Sequence, residues 1–306
     1  MRGASRALPI GAAVGLCMMA LTAATLGQEL EPRAYSASPI GLNFAGIGFS
    51  YSSGDVVTDP TLPVTNVSAH IYGSAAAYGR TFGLLGRQAL VTVSLPYAWG
   101  DAEGDVGEQH ARIRRSGLTD FRAKFAINLY GNPAATPQEF ARREQSVIIG
   151  ASLFVTAPTG QYDSAKLINL GTNRWSIRPE VGLSVPWRKF YFDVYAGVTF
   201  FTENMHYYPG TATRSQDPLT SIQFHASYTF RPSFWVAFDS TWYGGGAASV
   251  NGGHSTARQN NSRGGVTLSI PVAKHQSVKL AYSRGAFVRA GQNFTTYAAA
   301  WQIAWF

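Results

Sequence analysis

Cysteine is almost missing from this sequence. There is one in 306 residues, Cys17, and it sits inside an N-terminal apolar run. The remainder of the chain can form neither a disulfide nor a thiolate metal site. Charge is scarce as well: Asp, Glu, Lys and Arg make up 14% of the residues, against about 25% in an ordinary soluble domain. Past Leu26 the sequence has no uninterrupted apolar stretch of the roughly 20 residues that a membrane helix needs. Disorder is excluded from the other direction, because disordered chains are charged and poor in aromatics, whereas this one carries 7 Trp, 15 Tyr and 18 Phe. The net charge of +8 is spread along the chain without a basic cluster, so no nucleic-acid partner is expected. The six His are scattered, with no H-x-H or H-x-x-x-H pair, and no metal site is expected from them. Gly-x-Gly-x-x-Gly after a strand and the P-loop are both missing, so no nucleotide cofactor is expected.

What is present begins with a leader. Arg2 and Arg6 precede an uncharged, Ala-rich apolar run from Ile10 to Leu26, with small residues near Ala24 and Gly27. This pattern predicts a secretory signal peptide over residues 1–27. Leu16 stands before Cys17 where a lipoprotein signal requires a small residue, which argues against lipidation. Residues 28–38 are read as a periplasmic N-terminal segment that either plugs the periplasmic mouth or trails from it, and 39–306 as one folded body.

Within that body the recurring signal has period two. Val91, Val93, Leu95, Tyr97 and Trp99 alternate with Thr92 and Ser94. Phe121, Ala123, Phe125 and Ile127 alternate with Asp120, Arg122, Lys124 and Asn128. Ile222, Phe224 and Ala226 alternate with Gln223, His225 and Ser227. Successive side chains of a strand point to opposite faces, so each run has an apolar and a polar face. Twelve such runs occur, near 40–53, 67–83, 87–100, 117–130, 145–158, 173–187, 189–202, 218–231, 233–245, 262–273, 276–287 and 294–306. Connections after even-numbered runs are mostly short, such as Arg188-Lys189 and Arg231-Pro232-Ser233. Those after odd-numbered runs are long, polar or Gly-rich. Short periplasmic turns and long external loops are the habit of outer-membrane barrels.

The expected fold is therefore all-β: a closed antiparallel transmembrane barrel of about 12 strands in outer-membrane lipid. The connection 131–144 is the exception among the short turns. There Thr136-Pro137-Gln138-Glu139 has the capping-box form with Pro at N1, predicting a short periplasmic helix over 137–144, with Glu139 spaced to pair with Arg143. Pro179, in mid-strand, predicts a bulge or kink. Aromatics fall at the ends of the runs: Trp187, Phe190, Phe230, Phe234, Trp235 and Trp305 at one end, Tyr97, Trp99, Trp175, Phe200, Phe201, Trp242 and Tyr243 at the other. Two such girdles bound the apolar band of a membrane barrel. A terminal Phe306 closing an amphipathic strand is the kind of signal read by barrel assembly machinery, the expected folding partner.

Several stretches resemble a known group. Ser116 to Asp120, Val155 to Tyr162, Leu167 to Trp175, Ser227 to Pro232 and Leu280 to Gly285 are similar to the outer-membrane family named for the meta-pathway of phenol degradation. The likeness spans about 35–306. It implies an outer-membrane transporter, and aromatic or hydrophobic solutes as its cargo; it brings no catalytic or ligand set with it.

Parity assigns the inward polar set: Asp120, Arg122, Lys124, Arg174, Arg178, Glu180, Asp193, Gln223, His225, Asp239 and Lys279. Charges on the lipid face would cost about 2–4 kcal/mol at the midplane, so these should line the lumen as a candidate solute path. Arg122, Lys124 and Arg178 outnumber Asp120 and Glu180, which points to a weak anion preference. The expected function is a non-enzymatic channel for passive uptake of small solutes. The alternative is a structural or surface-interaction barrel with a closed lumen, in which the same charges brace the wall. A hydrolase ranks lower: His254-Ser255 with Asn260 falls in a Gly-rich loop, and adjacent strand residues cannot share a site. Asp101, Glu103, Asp105 and Glu108 form an acidic stretch that reads as a solvated loop. No catalytic, cofactor-binding or metal residues are assigned.

Overall fold

The computed structural model describes residues 30–57, 64–106 and 109–306. The signal-peptide region 1–27 lies outside the described residues, as does Glu108 of the acidic stretch. The strands are β1 (Asn43–Val57), β2 (Val64–Leu84), β3 (Arg87–Val106), β4 (Gln109–Leu118), β5 (Phe121–Tyr130), β6 (Ile148–Ala157), β7 (Ser176–Trp187), β8 (Phe190–Phe201), β9 (Asn204–Tyr207), β10 (Ala212–Gln216), β11 (Leu219–Arg231), β12 (Phe234–Gly245), β13 (Ala248–Val250), β14 (Gln259–Ala273), β15 (Gln276–Phe287) and β16 (Gly291–Trp305). One helical turn, α1 (Pro137–Phe140), lies between β5 and β6.

All wall pairings are antiparallel and, apart from the closing pair β1 and β16, run between wall strands that follow one another in the chain. β4 and β5 are two halves of one strand: both pair with β3, on either side of an interruption at Thr119-Asp120. β1 pairs with β2 on one side and with β16 on the other, with Asn43 opposite Trp305, which closes the ring. The result is the expected 12-stranded closed barrel. Closure gives each strand of the wall, with β4 and β5 taken as one, a partner on both sides, the condition for β structure in lipid. The apolar side chains that alternation directs outward, among them Val91, Leu95, Phe125, Ile177, Val181, Phe224 and Phe238, are exposed on the outer wall. The buried set is largely polar, the inverse of a soluble sandwich.

Three expectations change. First, the long connections carry structure. The hairpin of β2 with β3 runs on to Val106, so the acidic stretch is mostly strand. Asp101 accepts from Arg112 at 2.9 Å, and Asp105 from Asn66 at 2.9 Å while contacting His110 at 3.0 Å. β9, β10 and β13 form a separate three-stranded sheet from the loops 203–217 and 246–261. Second, α1 stops at Phe140. Its capping box is complete, the Thr136 side chain accepting from the Glu139 amide while Glu139 accepts from the Thr136 amide. That amide, then the Thr136 hydroxyl, holds the Glu139 carboxyl below the usual range. Arg143, however, donates to the Pro133 carbonyl at 2.9 Å, fastening the chain beyond the turn to the loop before it. Third, Pro179 makes no bulge. It stays opposite Leu153 of β6, and the pairing with β8 lapses between Ile177 and Glu180 without a change of register. Proline's missing N–H removes ladder bonds, and the ring takes up the gap without an inserted residue.

Candidate functional site: a plugged lumen and a basic vestibule

Of the segment assigned from sequence to the periplasmic side, 28–38, the described part from Leu30 lies inside the barrel and leads out to the turn end, where β1 begins. From Leu30 onward it is buried within the wall, with Tyr35 and Ala34 each 2% exposed. Charged residues at such depth need partners, and the wall supplies them. Lys124 Nζ donates to both carboxylate oxygens of Glu31, at 3.1 and 3.2 Å. The Arg33 amide donates to Asp193 at 3.2 Å; its guanidinium donates to Ser227 at 2.8 Å and Thr229 at 2.6 Å, and lies over the rings of Tyr191 and Trp235. The Ala34 amide donates to the Tyr195 hydroxyl, and the Ser38 amide to Gln88. The Tyr35 hydroxyl meets Ser152 at 2.7 Å and donates to Glu180 at 3.2 Å. These partners come from β3, β5, β6, β7, β8 and β11, so the segment crosses the lumen as a plug.

A socket in the wall receives Tyr35. Gly150 and Gly182 stand opposite each other on β6 and β7, and a Cβ on either would run into the Tyr35 ring. Only glycine permits this close approach. Gly182→Val is expected to expel Tyr35 and loosen the plug while the ladder persists. Limited trypsin digestion checks this: cleavage after Arg33 should become fast in the variant and stay slow in the parent protein.

Ladder register orders the layers above the socket. Ser152 and Glu180 form the next rung, contacting the Tyr35 hydroxyl. Lys124, Phe154 and Arg178 form the rung above it, and Arg122, Thr156, Ser176 and Phe201 the one after. Rungs are two residues apart, about 6.6 Å along a strand. These upper rungs bound a cavity of ≈ 520 Å³ on the loop side of the plug, completed by Asp120, Thr172, Arg174, Arg214 and Gln216. Arg178 stacks over Phe154 at 3.9 Å and Arg174 over Phe201 at 4.4 Å. Asp120 accepts from the Gly160 amide at 2.9 Å, the Thr172 amide at 2.9 Å and the Thr172 hydroxyl at 2.6 Å, and so pins the loop.

The predicted inward residues all lie inside the wall, in separate groups. Asp120, Arg122, Arg174 and Arg178 line the vestibule. Lys124, Glu180 and Asp193 hold the plug, with Gln223 donating to Glu180 at 3.4 Å. His225 and Asp239 lie nearer the turns, their side chains 2.7 Å apart, and Asp239 also accepts from Thr267. This His–Asp pair faces across adjacent strands, which spacing along one strand could not reveal. Lys279 is buried on β15, 5.8 Å from the Trp235 ring. His254 and Ser255 are exposed in a loop, and Asn260 accepts from the Trp242 indole instead of joining them.

Sequence reading missed Glu31, Arg33, Tyr35, Phe154 and Arg214. Phe154 shares the parity of Ser152 and Thr156, so strict counting would have placed it inward. Trp235, Phe201 and Tyr243 were assigned to the girdles. Trp235 and Tyr243 are each 4% exposed, and Phe201 lines the vestibule. Each is the neighbour of another girdle aromatic, and only one of two adjacent strand residues can face lipid.

A closed twelve-stranded wall, apolar outside and polar within, defines an outer-membrane β-barrel. Residues 50–304 match the family described as "Putative MetA-pathway of phenol degradation", and the chain belongs to that family. The fold is similar to that of the COG4313 outer membrane channel from Pseudomonas putida F1, with a TM-score of 0.76 and 18% identity over 90% of this chain and 100% of that one. It is also similar to the β domain of the Bordetella autotransporter BrkA, with a TM-score of 0.51 and 11% identity over 86% of this chain and 99% of that one. No curated protein sequence matches the chain.

Proposed function

We propose that the protein is an outer-membrane diffusion channel for small solutes, narrowed at its periplasmic end by its own N-terminal segment. The observation that carries this reading is the ≈ 520 Å³ vestibule, lined by four arginines, inside a lipid-facing wall. A barrel built only to span would gain nothing from a charged interior cavity, since buried charges are costly to house. The lumen arrangement supports a role without catalysis: among the described residues no hydroxyl meets His225 Nε2, and the His225–Asp239 pair is buried away from the vestibule. Aromatic or hydrophobic cargo is in keeping with the family's description.

The plug favours a second reading, a structural barrel with a permanently closed lumen. Uptake of labelled small solutes into liposomes separates the two. Entry faster than into empty vesicles is expected for the channel. Uptake equal to that of empty vesicles would leave the closed barrel standing.

A further inference from the structure

The vestibule has a charge balance that the rest of the lumen lacks. Arg122, Arg174, Arg178 and Arg214 line it, and Asp120 is the acid among the lining residues. Asp120 has both carboxylate oxygens committed to the Gly160 and Thr172 donors. Glu180 sits one rung below, 3.9 Å from Arg178, and offsets part of its charge while also accepting from Tyr35 and Gln223, which leaves four arginines facing two carboxylates. Lys124 is spent on Glu31. Net positive charge therefore rises from the plug towards the loops.

Arg174 shows the imbalance most directly. It is 8% exposed. Nη2 donates to Gln216 at 2.5 Å, but among the described residues Nη1 has no hydrogen-bond partner. Burial, and then the nearby Arg214 charge, lower its pKa to about 10. A buried guanidinium donor left without an acceptor is costly, and an anion against the face of Arg174 that lines the cavity would offset that cost. The guanidinium groups are already in place: those of Arg178 and Arg174 lie over the rings of Phe154 and Phe201. A fork held in place loses little freedom on meeting a carboxylate, the geometry to which it is matched.

We propose that the vestibule is a binding site for small organic anions carrying one or two carboxylates, recognised by Arg174 and Arg214 with Arg122 and Arg178 below. This rests on the channel reading and narrows it to a substrate class. The probes are succinate and 1,4-diaminobutane, which share a four-carbon chain and differ in charge. Full-length protein in planar bilayers under a KCl gradient is expected to pass chloride in preference to potassium. Succinate added from the loop side should partially block the current, and the diamine should not.

Calorimetric titration of succinate into the detergent-solubilised protein reads binding without requiring conduction. In the R174Q/R214Q variant, with folding checked by heat-modifiable mobility, succinate affinity should fall about tenfold or more, the loss of charge-assisted hydrogen bonds. Binding and block that are equal for the two probes, or unchanged in the variant, would overturn the site. Succinate heat without any bilayer current would retain the site and sink the channel. Conductance with cation preference and no succinate heat would retain the channel and sink the site.

Discussion

Deleting residues 30–38, with the chain before and after them intact, should raise single-channel conductance severalfold and replace rare openings by a sustained open level. The reason lies in the strand number. Eight strands enclose a lumen that side chains alone can fill, and sixteen leave an aqueous channel. Twelve fall between, and here the space is taken up by a crossing segment of the chain itself. Its removal leaves polar groups behind: Gln88, Ser152, Tyr195, Ser227 and Thr229 each lose a partner. All are suited to water, which should enter. The wall does not depend on the deleted residues, because the closing ladders of β1 with β2 and β16 begin at Asn43. A folded barrel with unaltered heat-modifiable mobility and a larger conductance is the expected pair of results. An unaltered conductance in a folded deletion variant would show that the segment is no barrier.

Much of this architecture was written in the residue pattern, for a reason particular to membrane barrels. Hydrocarbon outside and water inside force every wall strand to alternate, so Ile222 to Phe230 announces both its strand and its faces. Tight turns do the same for connectivity: Arg188 and Ser233 take φ of 56° and 63° in the two-residue links. The contacts of the plug were illegible because they obey no period. Leu30 to Ser38 is held by individual bonds to six strands far away in the chain, and nothing local encodes such contacts. Arg214 was missed similarly, since it reaches the vestibule from β10 in a long connection that reads only as polar loop. The Arg174 and Arg178 side chains, by contrast, followed from parity, and so did Lys124. What parity could not say is that Lys124 would pair with Glu31 and Arg178 with Glu180, while the partner of Arg174 is the neutral Gln216. The vestibule's sign thus emerges only when the plug's own charge is counted.

The pairing of Lys124 with Glu31 is the basis of the sharpest expectation for gating. Lys124 and Glu31 have side chains 6% and 9% exposed. Docking the plug in a Glu31→Ala variant would bury Lys124 without its partner. Breaking a buried pair from one side costs about 3–5 kcal/mol, which shifts the ratio of docked to released plug by a hundredfold or more. The cost should appear as release of the plug, not as unfolding of the wall, because a Lys124 facing an emptied lumen can be hydrated and the strand ladder is untouched. Glu31→Ala should therefore show frequent openings in bilayers and rapid trypsin cleavage after Arg33. Lys124→Met alone should do likewise by leaving Glu31 unpaired. Combining the two removes both charges, and substituting a buried ion pair by apolar groups is often neutral; the double variant should regain most of the docking. If the two single effects simply add, the pair is not what holds the plug, and its anchorage must be sought in Arg33 and the Tyr35 socket instead.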